Sequence, residues 1–433
     1  MTAPDDDERI PLLEKTKEKA TADSPSSSSS SSFSSSLWSS TRALPCAGVL
    51  VVVMSLVAGV GWGHFQRGVG ARGTLYALFD TEGLAMALKS LQCYVKMGEE
   101  LGMEVAVGPY RSTHYEEGWI ELDQMVKPGS GWRRMRETEK TNGEFRSSRC
   151  ILGRNPGDRY VTFPGFTFGL PNGGEIKIDD NTMVTSYAEM IAKLRASGDG
   201  ACVGSLVYVP ECTSVDAQMD FQPSDTVAAL MRSSKEEMFG APDAPFAVVH
   251  YRRGDRCYDT AADNDDLRCR DVKEQPFLEL CRRGEKSRGM GDGGEGNDAM
   301  PVYVATDDFT PRTQRELQRA GCYTISSIPG SDRWKSWEGA AFDQFLMSDA
   351  TEFFSMGCST MDTVASASRR LRKAKVGKWY VKSAGGFVDI PPTSTMVECL
   401  GAVAAAEAEA ATAAEARAGA AADAGVGADA ETA

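Results

Sequence analysis

The alternation of apolar runs and helical repeats between residues 245 and 372 constrains the fold more than any other feature of the chain. "FAVVHY" is an apolar run of strand length, and "QPFLELCRR" follows as a helix with proline near its first turn. "PVYVAT" reads as a strand, "TPRTQRELQRA" as a helix and "CYTISS" as another strand. "GAAFDQFLMSDATEFF" is expected to be helical throughout, with Phe342, Phe345, Leu346 and Phe353 on its buried side. "STMDTVASASRRLRK" closes the series as a helix, and the glycine-rich stretch 284–300 reads as a surface loop. Strands alternating with helices imply parallel sheets covered on both faces.

An earlier series is fainter but of the same kind. "TLYALF" reads as a strand, Leu84, Leu88, Leu91 and Val95 recur at helical spacing, and "MEVAV" reads as a second strand. "VGSLVYVP" adds a strand, and a helix near 225–238 leads into the second series. The two series predict two Rossmann-like α/β domains, 66–240 and 241–400, facing each other across a cleft. The region 110–200 shows few clear periods.

Outside these domains the composition changes sharply. Residues 24–40 are nearly pure serine and cannot bury a core. Residues 401–433 are rich in Ala, Glu and Asp without large apolar side chains, and are expected to be disordered or loosely helical. Between the serine tract and the first domain, residues 46–63 form 18 residues without a charge, extending to 43–65 at most. That length fits a single membrane-spanning signal-anchor, because the polar segment before it is too long for an ordinary signal peptide. Residues 1–42 would then be a cytosolic tail, and "ERIPLL" within them resembles an acidic dileucine sorting signal. Arginines flank the apolar segment on both sides, so charge alone does not set its orientation.

Ten of the eleven cysteines follow this segment, an even number that suits disulfides in an oxidising compartment. They form no CxxC pair and only two histidines follow the segment with them, which argues against a structural zinc site. The net charge of −14 argues against broad nucleic-acid binding.

In open α/β sheets the ligand sits beyond the carboxyl ends of the strands. Charge and hydroxyl groups gather there three times: "HYRRGD" after one strand, "ATDD" after the next and "CSTMDT" before the last helix. Arginines, a hydroxyl-bearing helix N-terminus and a carboxylate together suit a pyrophosphate carrying a base. No DxD-like metal loop accompanies them, so no metal is expected.

"HYRRGD", "VYVATDD" and "DQFLMSDATEFFSMGCSTMDTVASASR" resemble, in order and spacing, three motifs of the GDP-fucose-dependent fucosyltransferases, the protein O-fucosyltransferase and α-1,6-fucosyltransferase group. The resemblance covers about 245–372. The first half is similar only over "EGLAMALKSLQCYVKMGEELGMEVAV", where "DTEGLAMALKS" replaces the family's Gly-Asn-Gln or Gly-Asn-Asn lead-in to the helix, and Met361 replaces a phenylalanine. The resemblance implies a GT-B-like fold and inverting transfer of fucose from GDP-fucose to a protein or glycan hydroxyl. It also implies a single-pass type II protein of the Golgi or endoplasmic reticulum membrane, with its catalytic domain luminal.

Carried onto this chain, the resemblance makes Arg252 the essential arginine on the β-phosphate, stabilising the leaving GDP. His250 and Arg253 would stand beside the nucleotide, Arg253 in a supporting position. Asp307 would read guanine, and Ser359 and Thr360 would donate to the phosphates. Asp259, in the acidic stretch after the arginines, is the candidate base, and Asp255 is its neighbour. Two alternatives remain: a catalytically silent binding protein of the same fold, and a transferase using another GDP-sugar such as GDP-mannose.

Overall fold

The computed structural model describes residues 73–79, 83–111, 118–129, 131–141, 150–153, 167–169, 175–177, 183–204, 209–213, 219–253, 269–289, 300–389 and 396–428. The serine tract, the expected anchor 43–65, Asp255 and Asp259 lie outside the described residues. Among the described residues no helix is long and apolar enough to cross a membrane.

Two sheets form the scaffold. The first contains β1 (Thr74–Ala77), β2 (Glu104–Val107), β3 (Trp132–Arg134), β4 (Cys150–Gly153), β5 (Met183–Val184) and β6 (Cys202–Gly204). Its order is β3-β2-β1-β6-β4-β5, parallel throughout. The helix α1 (Leu84–Leu101) joins β1 to β2 and buries Leu84, Leu88, Leu91 and Val95. Gly98 and Gly102 set that crossover. A Cβ on Gly98 would stand 2.4 Å from Val105 Cγ2, and Gly102 caps the helix at φ 65. The helix α2 (Tyr187–Ser197) lies in the same half, and α3 (Asp225–Phe239) leads out of it.

The second sheet contains β7 (Ala247–His250), β8 (Val302–Ala305), β9 (Glu352–Ser355), β10 (Lys378–Val381) and β11 (Gly386–Asp389), in the order β8-β7-β9-β10-β11. Only β11 runs antiparallel. Its helices are α4 (Leu278–Gly289), α5 (Pro311–Arg319), α6 (Ser336–Asp349) and α7 (Thr360–Leu371). The three central strands end level, with His250 opposite both Ala305 and Ser355. One buried apolar cluster runs from Leu75 and Leu88 in the first half to Phe342 and Val364 in the second. The α/β class with parallel sheets therefore follows the alternation.

Three local expectations fail, and a fourth resolves to its helical alternative. "CYTISS" is no strand: Tyr323 makes one bridge to Tyr303, and the chain then turns into a 3-10 segment, Ile325–Ser327. The Ser327 hydroxyl accepts the Thr324 N–H at 3.0 Å, the local competition by which serine and threonine draw backbone away from sheets. "GAAFDQFLMSDATEFF" is not one helix, because α6 stops at Asp349 and "EFFS" is β9. The buried Arg369 of α7 donates to the carbonyls of Met347, Ala350 and Thr351 at that break. Phe353 then stacks edge-on to Trp379 and Phe354 to Phe387, an alternation of faces at period 2. The stretch 284–300 begins as helix, since α4 continues to Gly289. Residues 396–428 form one long helix, α8 (Met396–Ala428), consistent with alanine's helix propensity. Glu407 on α8 accepts the backbone N–H groups of Lys382 and Ser383, fixing the helix to the β10–β11 turn.

The described disulfides are Cys93–Cys212, Cys150–Cys202, Cys281–Cys322 and Cys358–Cys399. Cys269 is also bonded.

Candidate functional site

A cleft of about 1260 Å³ opens over the carboxyl ends of β7 and β8. His250, Arg252, Ala305, Thr306 and Asp307 line it from those strands, and Thr360 and Met361 from the start of α7. The N-terminus of α1 closes the far side with Gly83, Leu84, Ala85 and Met86.

The arginine pair divides its work. Arg252 is about one-third exposed in the cleft, with Nε 4.0 Å from Asp307 Oδ2. Arg253 is not part of the lining and turns inward. Its guanidinium donates to the Tyr251 hydroxyl at 3.3 Å and lies 3.4 Å from the fully buried Asp308. Its backbone N–H donates to Asp307 Oδ1 at 2.6 Å. Arg253 thus anchors the loop that presents Arg252.

Asp307 stands in the cleft wall, but the Arg253 N–H and the Arg252 guanidinium already engage its carboxylate. In this position it orders the arginine loop, a different task from reading a base. Asp308 caps: it accepts the Thr310 N–H at 3.0 Å and the Thr313 hydroxyl at 2.7 Å. Both acids follow β8, where sequence reasoning placed them, but local hydrogen bonds decide their roles.

Ser359 also differs from expectation. It is buried and is the N-cap of α7, accepting the Asp362 N–H while its own N–H donates to Asp362 Oδ2 at 2.8 Å. That reciprocal capping box occupies it, and Thr360, one residue on, is the hydroxyl facing the cleft. Gln344 of α6 donates to the Met361 carbonyl at 3.4 Å and steadies the same turn.

His250 is buried at the end of β7, with Nδ1 2.7 Å from Asp362 Oδ1. Burial alone would lower its proton affinity, but the Asp362 carboxylate, with Asp307 and Asp343 further off, raises it above the ordinary histidine range.

Asp343 was not singled out from sequence. It lies on the face of α6 that also presents Ser336, Gly339 and Ala340 to the cleft, residues at one helical repeat. The Tyr303 hydroxyl donates to Asp343 Oδ1 at 2.6 Å. Burial pushes its carboxyl up to about 7, against the lowering effects of the Tyr303 hydroxyl and the His250 charge. A sequence signal existed in that stripe of small and polar residues along an otherwise apolar helix.

The remaining lining is mixed: Ile325, Ile328, Pro329 and Trp334 stand beside Ser326, Ser327, Ser331, Asp332 and Lys335, and Phe309, 60% exposed, lies at another point of the wall. A Cβ on Gly339 would already meet Ile325 Cδ1 at 3.0 Å, so α6 and the 3-10 wall are in close contact. Among the described residues no group of acids, cysteines and histidines is arranged to hold a metal ion.

The fold and cleft define an α/β protein whose candidate site, lined by Arg252, His250 and Lys335 together with Asp307, Asp332 and Asp343, sits at the carboxyl ends of parallel strands. No family profile and no curated protein sequence matches the chain. Among solved structures it is similar to POFUT1 in its apo form, at 12% identity and TM-score 0.46, over 72% of this chain and 98% of that one. POFUT1 in complex with GDP-fucose aligns at 12% identity and TM-score 0.44, over 69% and 95%. Fucosyltransferase NodZ from Bradyrhizobium aligns at 13% and 0.37, over 68% and 92%.

Proposed function

We propose that the cleft binds a GDP-sugar and that the chain is an inverting glycosyltransferase moving fucose from GDP-fucose to a protein or glycan hydroxyl. The observation that carries this reading is the convergence of Arg252, the Asp362-paired His250 and the start of α7 on one cleft. Departure of a nucleoside diphosphate builds negative charge on the β-phosphate, and preorganised donors stabilise that charge most strongly in the transition state. A guanidinium supplies a two-pronged donor, and a helix N-terminus supplies aligned N–H dipoles. The first turn of α1 holds no acidic side chain, so the positive end of this helix also faces the cleft.

Asp343 suits guanine, whose ring N–H and exocyclic amine are adjacent donors. Tyr303 engages one carboxylate oxygen, leaving the other for the base. This assignment replaces Asp307 as the reader. Phosphate contacts need no metal here because protein cations supply the charge. The base that accepts the acceptor's proton stays a proposal on Asp259. The disulfides suit an oxidising compartment, and we infer a single-pass membrane protein of the Golgi or endoplasmic reticulum with this unit luminal.

A silent GDP-sugar-binding protein is the second reading, favoured by the apolar end of α1 where the similar family carries Asn and Gln. One experiment separates them. GDP should raise the unfolding temperature of the chain, because it binds only the folded state, and UDP should do much less. The chain should then release GDP from GDP-fucose faster than from GDP-mannose. Equal stabilisation by GDP and UDP rejects the guanine reading, and binding without release leaves the silent binder standing.

A further inference from the structure

His250 and Asp362 are 112 residues apart in sequence and form a buried pair at the base of the cleft. His250 is 6% exposed and Asp362 is 0% exposed. One Asp362 oxygen meets Nδ1 at 2.7 Å, and the other accepts the Ser359 N–H at 2.8 Å. The Ser359 hydroxyl lies 3.5 Å from the same Nδ1. Both contacts therefore fall on one ring nitrogen. Among the described residues Nε2 has no hydrogen-bond partner, and His250 lines the cleft.

An aspartate on Nδ1 fixes the imidazole in one orientation and stabilises its cationic form. The location strengthens the effect, because Asp362 occupies the third position of α7, where the helix dipole favours a carboxylate. The other charged groups around the ring act in both directions. Asp307 and Asp343 favour its proton, whereas burial and the Arg252 guanidinium in the same cleft oppose it.

We propose that Asp362 is a positioning residue that holds a proton on His250 and aims its Nε2–H into the cleft, making the imidazolium a second fixed cation for a diphosphate. The proposal rests on the reading that a diphosphate occupies this cleft. Asp362 itself touches no ligand. It converts a residue that would be neutral near pH 7 into a permanent partner for Arg252. The diphosphate would then meet two cations of different kind, one solvent-facing and one enclosed.

The test uses the full chain, which has only three histidines. With ¹⁵N-labelled histidine and His250→Gln for assignment, both ring nitrogens of His250 should be protonated near pH 7, where an ordinary histidine (midpoint ~6.5) is mostly neutral. Asp362→Asn can no longer offer a carboxylate oxygen to both donors, and its amide should turn Nδ1 into an acceptor. The His250 midpoint should fall by about one unit or more, the usual effect of losing an adjacent opposite charge. Ser359→Ala, which removes the cap hydroxyl and keeps the carboxylate, should change the midpoint little. Inorganic pyrophosphate and GDP should bind Asp362→Asn about tenfold more weakly near pH 7, the scale of one charge-assisted hydrogen bond. Wild-type affinity for pyrophosphate should decline as pH rises through the His250 midpoint.

A neutral His250 in the wild type at pH 6.5, or an unchanged midpoint in Asp362→Asn, overturns the proposal. Should that variant fail to fold, the wild-type protonation state still decides the point. If wild type binds neither pyrophosphate nor GDP while His250 titrates as expected, the diphosphate reading falls and the imidazolium loses its role. The His250–Asp362 pairing would survive that result.

Discussion

The two walls of the cleft are built from the same kind of α/β unit but carry different chemistry. The wall from the second sheet holds Arg252, His250, Asp307, Asp343 and Thr360. The wall from α1 offers Gly83, Leu84, Ala85 and Met86, and among these described residues the backbone dipoles are the only polar groups. Charged groups at strand ends are fixed by neighbouring strands in register, as His250, Ala305 and Ser355 show. A helix end can contribute polarity without any polar side chain. The difference teaches that a change of side chains at α1 need not remove the polarity it brings to the cleft, whereas one change at β7 removes a unique group.

The largest expected effect tests that asymmetry directly. Arg252→Ala should lower GDP release from GDP-fucose at least ~100-fold, the scale of losing one donor to a developing oxyanion. Arg252→Lys should recover only part of it, because charge returns without the two-pronged geometry. GDP affinity should fall far less than turnover. Equal loss of both would mean that Arg252 acts in the ground state and would move the catalytic weight to the other wall.

Asp343 gives the next effect. Asp343→Asn should reduce the preference for GDP over UDP by roughly 10- to 100-fold, as expected for hydrogen bonds to a charged group. Its pH signature is specific. The base needs the ionised carboxylate, so GDP affinity should climb as pH rises to about 7. Above that, the loss of the His250 proton should reduce it, giving a bell. Stability follows a different curve. Asp343 binds its proton more tightly folded than unfolded, so its contribution is full below about 4 and is lost as pH rises to about 7. His250 has the same sign, and its contribution declines from ~6.5 upward through its raised folded midpoint. Urea unfolding of the unliganded chain should therefore show lower stability at pH 8 than at pH 5, with a shallower drop in Asp343→Asn.

The smallest expected effect belongs to the α1 wall. Met86→Ala leaves the backbone dipoles in place and removes only part of an apolar surface, so GDP affinity should change less than about threefold. A loss comparable to that of Arg252→Ala would show that the apolar wall contacts the nucleotide itself and would dissolve the contrast between the walls.

The strand–helix alternation was legible because buried parallel strands such as "AVVH" and "VYVA" are short, uninterrupted apolar runs. The level ends of those strands also made Arg252, His250 and Asp307 legible as neighbours. Their final roles were not, because Asp307 and Ser359 are claimed by backbone donors that only the folded turns supply. Asp362 escaped notice because its partner is in another motif, and Asp343 because the spacing of Phe342 and Phe345 drew attention to the opposite side of α6. The break before β9 was hidden because Arg369, which satisfies the carbonyls there, comes from the next helix. "CYTISS" has strand composition, yet its hydroxyls bond locally and make a wall of the cleft.

The Cys358–Cys399 bridge joins the residue before the α7 cap to the first turn of α8. Its consequence lies in the order of biosynthesis. The other described bridges join residues that have all been synthesised by Cys322. The turn carrying Ser359, Thr360 and Asp362 must wait for a cysteine near the end of the chain. A newly made polypeptide can therefore complete its scaffold before it can lock the turn at the start of α7. Premature termination after β11 ends at Asp389 and before Cys399 would yield a protein with every strand of both sheets and an unfastened turn.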